Sequence, residues 1–226
     1  MSSPTAPVAH SEISPRWFVR FGALGVISQS SSKLYAQPLV GLAGAGPEVL
    51  LAGRGATYAN ILSASVQVGY FVTTNWSLEI SGAVPVWQTV KITGFSLTPP
   101  VAGTVLTSAL PAAAPITAVY HFTEFGALQP YLGGGVAPLF AIAEHDGFNT
   151  GARIEPSLGV VLQGGLDFMV NRNWGIYLDV KKIFDQLTGH ATGINLGPPV
   201  GVIPAGASIR TNFQPWVLGA GLTYRF

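Results

Sequence analysis

Residues 216–226 read WVLGAGLTYRF, and their side chains alternate in character. Every second residue from Trp216 to Phe226 is apolar or aromatic, whereas the residues between them are small or polar apart from Val217. An alternating segment of about ten residues with rings at both ends is typical of a membrane-spanning strand in an outer-membrane barrel. The stretch therefore predicts a strand that has one face in lipid.

The composition suits a chain surrounded by lipid, because 48% of the residues are hydrophobic and only 9% are charged. No segment resembles a membrane-spanning helix, however. The longest stretch without charge, residues 92–120, contains Pro99, Pro100, Pro111 and Pro115, which a continuous helix does not tolerate. Since a bilayer admits only helices and closed barrels, the sequence predicts a barrel.

The length, charge and cysteine count exclude several classes of function. A chain of 226 residues suits one domain, which we place at residues 16–226 behind a flexible tail at residues 1–15. The net charge of +1, without a run of Lys or Arg, gives no footprint for nucleic acid. With no cysteine, two Met and four His, we expect neither a metal site nor a cofactor. Residues 1–10 lack a basic start followed by an apolar run, so we expect a mature form whose signal peptide was replaced by Met1.

Alternating segments recur along the chain and predict an all-β fold of eight antiparallel transmembrane strands. They are assigned to residues 16–27, 62–70, 76–84, 116–122, 129–141, 158–170, 174–180 and 216–226. Three links are short, at residues 73–75, 124–126 and 171–173. Four links are long, and three of these lie at residues 28–60, 87–112 and 185–212. This asymmetry is typical of a bacterial barrel with short periplasmic turns and longer extracellular loops.

Placing the short links at the periplasm brings a set of outward aromatic rings to one depth. Rings at one depth are typical of a membrane interface, so we expect membrane lipid and lipopolysaccharide around the barrel. The set comprises Trp17, Tyr70, Trp76, Tyr120, Phe122, Phe168, Trp174, Tyr224 and Phe226. The alternative fold is a soluble β-sandwich or lipocalin-like barrel, which would turn its apolar face inward and carry more surface charge.

Several motifs together resemble the OmpW-type family of small outer-membrane β-barrel proteins. They are residues 70–79 (YFVTTNWSLE), 119–122 (VYHF), 130–133 (PYLG), 164–174 (GGLDFMVNRNW), 178–182 (LDVKK), 215–219 (PWVLG) and 224–226 (YRF). The resemblance implies an eight-stranded barrel in a Gram-negative outer membrane. It also implies transport of small hydrophobic molecules through an apolar channel with a lateral exit. The long loops at residues 28–60 and 87–112, rich in Gly, Ala and Pro, are less typical of the family.

The residues on the inner face differ with depth. In the half near the short links they are polar, namely Arg20, Glu79, His121, Gln163, Asp167, Asp179 and Arg225. In the half near the long loops they are apolar, namely Leu24, Ile61, Ala83, Pro85, Val161 and Val217, with Lys181 and Glu155 as exceptions. Because an unpaired charge in a narrow lumen keeps a large desolvation cost, we expect the polar set to pair into a periplasmic plug. A hydrophobic solute would then meet a charged floor and leave sideways into lipid.

Two other functions stay open. A structural or recognition barrel would act through its extracellular loops and transport nothing. An outer-membrane enzyme that modifies lipids is a further alternative, because His121, Glu79, Ser77 and Ser81 share the inner face. No nucleophile elbow or metal-ligand spacing accompanies these residues, so we expect a channel without catalysis.

Overall fold

The computed structural model describes residues 16–37, 47–51, 55–94, 103–196, 198–199 and 201–226. The tail expected at residues 1–15 lies outside this part of the chain. The described residues form sixteen β-strands and one short 3-10 turn at Thr123–Phe125. Among them, no helix is long and apolar enough to cross a bilayer.

The strands are numbered in chain order, and neighbouring strands run antiparallel throughout. They are β1 (Trp17–Ile27), β2 (Ser30–Gln37), β3 (Val49–Leu50), β4 (Gly55–Thr57), β5 (Ile61–Phe71), β6 (Trp76–Ala83), β7 (Gln88–Thr93), β8 (Val105–Ala113), β9 (Ile116–His121), β10 (Leu128–Asp146), β11 (Asn149–Thr150), β12 (Arg153–Ile154), β13 (Ser157–Met169), β14 (Trp174–Asn195), β15 (Val202–Phe213) and β16 (Trp216–Arg225).

The strand pairing forms a closed circuit. Strand β1 pairs with β5, and the order continues through β6, β9, β10, β13, β14 and β16 before it returns to β1. Closure satisfies the backbone N–H and C=O groups without leaving a sheet edge in the bilayer. The predicted all-β antiparallel barrel is therefore confirmed.

The long loops are where the structure differs most from the prediction. Residues 28–60 contain β2, β3 and β4, residues 87–112 contain β7 and most of β8, and residues 185–212 are largely occupied by β14 and β15. The described part of the chain consequently has sixteen strands where eight were predicted. An apolar core of its own stabilises this extension, built around Leu34, Val90, Ile92 and Leu106. The sequence prediction gave too much weight to Pro, Gly and Ser, since tertiary pairing overrides local strand propensity.

Side-chain hydrogen bonds close two of the short links. The Trp76 N–H donates to Thr73 Oγ1 at 3.0 Å, and the Trp174 N–H donates to Asn171 Oδ1 at 2.8 Å. Thr and Asn favour tight turns because their side chains can replace a backbone acceptor. The short links predicted at residues 73–75 and 171–173 therefore lie between β5 and β6 and between β13 and β14.

The distribution of polar and apolar side chains is the reverse of that in a soluble protein. Large apolar residues face outward, with Leu62 78% exposed and Leu178 58% exposed. Arg20, His121 and Thr223 are fully buried inside. This arrangement requires lipid on the outside, and it contradicts the alternative of a soluble β-sandwich or lipocalin-like barrel.

Candidate functional site: a charged floor beneath an apolar chamber

Arg20 of β1 lies at the centre of a buried ionic cluster. Its Nε and Nη2 atoms donate to the two carboxylate oxygens of Asp167 at 3.1 and 2.7 Å. Its Nη1 atom donates to Glu79 Oε2 at 3.2 Å. A planar guanidinium matches a carboxylate in this bidentate way, which fixes the direction of both groups. The three strands β1, β6 and β13 are thus joined across the lumen rather than along the sheet.

A second set of contacts extends the cluster towards β14. Lys181 forms an ion pair with Asp179 and donates to Gln67 Oε1 at 3.0 Å. Gln163 Nε2 lies 2.9 Å from both Glu79 Oε2 and Asp179 Oδ2, and Gln67 also donates to Glu79. Because each carboxylate accepts several hydrogen bonds, the cost of burying these charges is offset.

Arg225 completes the cluster at the end nearest the short turns. Its Nη2 atom donates to Gln129 Oε1 at 2.7 Å and to Asp167 Oδ2 at 3.3 Å. The charges balance, with three cations facing three carboxylates: Arg20, Lys181 and Arg225 against Glu79, Asp167 and Asp179. We call these six residues, together with Gln67, Gln163 and His121, the floor. All seven polar residues predicted at this depth lie in it.

Aromatic rings enclose the guanidinium of Arg20. Its Cζ atom lies 4.7 Å from the ring centre of Phe18 and 4.5 Å from that of Tyr131, whose hydroxyl donates to Asp179 Oδ2 at 2.9 Å. The sequence prediction missed Tyr131 and Gln67. Tyr131 lies next to Gly133–Gly135, where the glycines hide the alternation of β10. The available signal was the period of two itself, which is unbroken from the buried Leu139 and Ala137 back to Tyr131.

Ser77, His121 and Glu79 lie close together, as an enzyme would require, but their hydrogen bonds do not suit catalysis. Ser77 Oγ donates to Glu79 Oε1 at 3.0 Å and lies 3.0 Å from His121 Nε2. A hydroxyl has one proton, so the imidazole nitrogen must donate here and cannot act as a base towards Ser77. Ser77 is 1% exposed and His121 is fully buried. His121 and Glu79 are therefore packed members of the floor, and Ser77 lies buried against them.

A cavity of about 140 Å³, which we call the chamber, lies above the floor. Five of the six residues predicted to form a hydrophobic lumen line it, namely Leu24, Ile61, Ala83, Pro85 and Val217. The sixth, Val161, is fully buried beside Val217 and Ile183 in the adjoining apolar cluster. Lys181 contributes to the wall and marks the boundary with the floor.

Two smaller cavities continue from the chamber towards the long connections. A cavity of about 70 Å³ shares Ile61, Pro111, Leu139 and Phe213 with the chamber. A further cavity of about 60 Å³ shares Tyr58, Val90, Ile154 and Leu187 with the second one. The three cavities lie next to one another with mostly apolar walls, and we call this row of cavities the path. Glu155, which was predicted to face the lumen, lies outside this path, because its carboxylate is exposed and pairs with His190 at 3.2 Å.

Strand pairing is interrupted at one side of the chamber. Strands β6 and β9 pair from Trp76↔Tyr120 to Ile80↔Ile116, and β7 and β8 begin to pair at Gln88↔Ala109. Between these points, residues 84–87 and 114–115 belong to no strand. Three prolines line the chamber here, at positions 85, 111 and 115, and proline has no N–H with which to pair neighbouring strands.

The outward aromatic residues gather at the end of the barrel near the short turns. Ring centres lie 4.9 Å apart for Trp17 and Tyr70, 5.3 Å for Trp76 and Tyr120, and 4.6 Å for Trp174 and Tyr224. The remaining members of the predicted set, Phe122, Phe168 and Phe226, are also exposed on this face. Exposed rings gathered at one depth are typical of a membrane interface, which would then lie next to the floor.

Comparison with known proteins gives independent information on the family of this chain. The OmpW family model matches residues 37–226. The chain is 31% identical over 230 residues to the uncharacterized outer-membrane protein y4mB of Sinorhizobium fredii, covering 100% of this chain and 87% of that protein. It is 27% identical over 198 residues to the dibenzothiophene metabolism operon protein PahQ of Pseudomonas aeruginosa, covering 88% of this chain and 83% of that one. The crystal structure of the outer membrane protein OprG from Pseudomonas aeruginosa has the same fold, with a TM-score of 0.77 and 19% identity over 94% of this chain and 96% of that chain. The family match over most of its length shows that this chain belongs to the OmpW family and lies in the bacterial outer membrane.

Proposed function

We propose that this protein is a passive channel for the uptake of small hydrophobic molecules. The observation that carries the proposal is the apolar chamber of about 140 Å³ that stands on a buried, charge-balanced floor. The free energy of an apolar solute falls when it enters such a chamber from water. It would rise again if the solute passed through the ionic cluster below. The floor then acts as a periplasmic plug, and the solute needs another way out.

The interruption beside Pro85, Pro111 and Pro115 supports a lateral exit. The bilayer core is apolar, so a solute that leaves the chamber sideways stays in an environment of similar polarity. Few backbone hydrogen bonds need to break there, because prolines without an N–H border the gap, and the Ser81 N–H donates across it to the Pro115 carbonyl at 3.0 Å. The name of PahQ, from a dibenzothiophene metabolism operon, supports an aromatic apolar compound as the solute.

The basic test is entry of a small hydrophobic dye into intact cells with and without this protein. We expect faster entry when folded barrel is present. We expect the advantage to be lost in Val161→Asp and Val217→Asp, which place a charge beside the chamber. Folding of each variant is checked by the migration of unheated protein on a denaturing gel. Equal rates of entry with and without the protein, for several apolar solutes, would contradict the transport proposal and favour recognition through the extracellular loops.

The lateral exit can be tested separately, because the chain has no native cysteine. Ala83 and Ala113 line the chamber on opposite sides of the interruption, so Ala83→Cys/Ala113→Cys joined by a reversible bifunctional thiol reagent should slow entry of the dye. A reductant should restore the rate. The control is Ala23→Cys/Ala64→Cys, which joins two directly paired, outward positions of β1 and β5. Slowing by both bridges, or by neither, would contradict an exit at this place.

A further inference from the structure

Gln88, the first residue of β7, presents an unused hydrogen-bond acceptor to the solute path. Its side chain points inward and the residue is only 8% exposed. The Oε1 atom is buried and has no hydrogen-bond partner. Gln88 lines the cavity of about 70 Å³ that joins the chamber to the extended part of the barrel. A buried carbonyl oxygen without a donor is costly, and such groups in proteins usually have a partner.

The polar neighbours of Gln88 in this cavity are already engaged. Ser28 Oγ donates to the Ala59 carbonyl at 3.1 Å, and the Tyr58 hydroxyl lies 3.1 Å from Thr211 Oγ1. The rest of the wall is apolar, including Ile61, Val90, Ala109, Leu139 and Phe213. A donor for Gln88 must therefore come from an occupant of the cavity.

The surroundings also restrict what that occupant can be. Because the cavity shares Ile61, Pro111, Leu139 and Phe213 with the chamber, a molecule can place one end at Gln88 and its body in the larger space. The body must be apolar to match these walls, and the end must carry a hydroxyl or similar donor. An isolated anion does not fit, because the described residues that line this cavity include no cation.

We propose that Gln88 Oε1 accepts a hydrogen bond from the hydroxyl of an apolar alcohol or phenol, and that this contact makes the path selective for hydroxylated over unsubstituted hydrophobic solutes. The inference rests on the proposed function for the route of the solute, whereas the binding contact can be measured by itself. Sites that hydrogen-bond a hydroxyl discriminate strongly against analogues that lack it, since the site is then left with an unpaired polar group.

The test compares three fluorescent probes of similar size in equilibrium binding to the full chain in detergent micelles. 1-Naphthol can donate a hydrogen bond, 1-methoxynaphthalene can only accept one, and naphthalene can do neither. We expect 1-naphthol to bind about fivefold to tenfold more tightly than the other two, as one buried hydrogen bond allows. In Gln88→Leu and Gln88→Met the three affinities should become equal within about twofold. Gln186→Leu, at an exposed position on β14, should keep the preference.

Two results would overturn the proposal. If the wild-type protein binds the three probes equally, or if both Gln88 variants keep the preference for 1-naphthol, a bound water rather than the solute satisfies the amide. Having two variants with different side-chain shapes guards against loss of folding in one of them. The dye-entry assay separates the two proposals. If the wild-type protein binds the three probes equally and still speeds dye entry, the proposed role of Gln88 is wrong and the channel is supported. If both Gln88 variants lose the preference for 1-naphthol but the wild-type protein does not speed dye entry, the binding site is supported and the channel is wrong.

Discussion

Replacement of Arg20 tests whether the floor is a matched set of charges. Arg20→Leu removes the cation that pairs with Asp167 at 2.7 Å and with Glu79 at 3.2 Å, in a place where all three side chains are at most 1% exposed. Asp167 keeps Arg225 at 3.3 Å, so about one carboxylate charge is left without compensation. Removing one partner of a buried ion pair costs about 3–5 kcal/mol. We expect the free energy of unfolding to fall by about that amount.

The assay is a urea titration of the barrel in lipid vesicles, followed by tryptophan fluorescence. Arg20→Leu/Glu79→Gln should be at least about 1 kcal/mol more stable than Arg20→Leu, because the second change removes the carboxylate charge that lost its partner, whereas Asp167 keeps Arg225. The control is Arg16→Leu at an exposed position, which should change the free energy of unfolding by no more than about 0.5 kcal/mol. A loss below about 1 kcal/mol in Arg20→Leu would show that water enters the floor and solvates the carboxylates, and would refute the reasoning.

Three further predictions concern positions outside the floor's ionic contacts. Gly22→Ala should destabilise the barrel by about 1–3 kcal/mol in the same titration, because a methyl group there collides with the backbone of the paired strand, whereas Gly82→Ala, which has open space, should be neutral. Asn171→Ala should cost about 0.5–1.5 kcal/mol by removing the acceptor that closes the turn between β13 and β14, and no change in the urea midpoint would contradict this. Burial raises the pKa of the Tyr58 phenol, in the connection between β4 and β5, above its usual 10.0. The neutral phenol therefore contributes fully to the free energy of unfolding below pH 10.0. Above that pH the unfolded chain loses the Tyr58 proton more readily than the folded chain, so stability falls, and Tyr58→Phe should make this fall at alkaline pH less steep.

The floor was the most predictable part of the site. Arg20, Glu79, Asp167 and Asp179 were assigned to one depth on the inner face because strand alternation and the short turns fix both direction and height. Their identity as charges in a narrow lumen then predicted that they would pair, and in the structure Arg20 pairs with Glu79 and Asp167. Asp179 pairs instead with Lys181, which the sequence placed among the apolar residues nearer the long loops. Which partner each charge takes could not be predicted, since the partners lie up to 147 residues apart in the chain.

The sequence by itself determined the solvent, the phase of the strands other than β10 and the position of the short turns, because these depend on local periodicity and on residues such as Thr73 and Asn171. Only the tertiary structure decided how far the strands extend, where pairing is interrupted, and which buried polar atoms lack a partner. The long connections became strands because distant segments bury Leu34 and Ile92 together. Gln88 has an unpaired acceptor because, among the described residues, its neighbours in space offer no free donor, which its neighbours in sequence do not reveal.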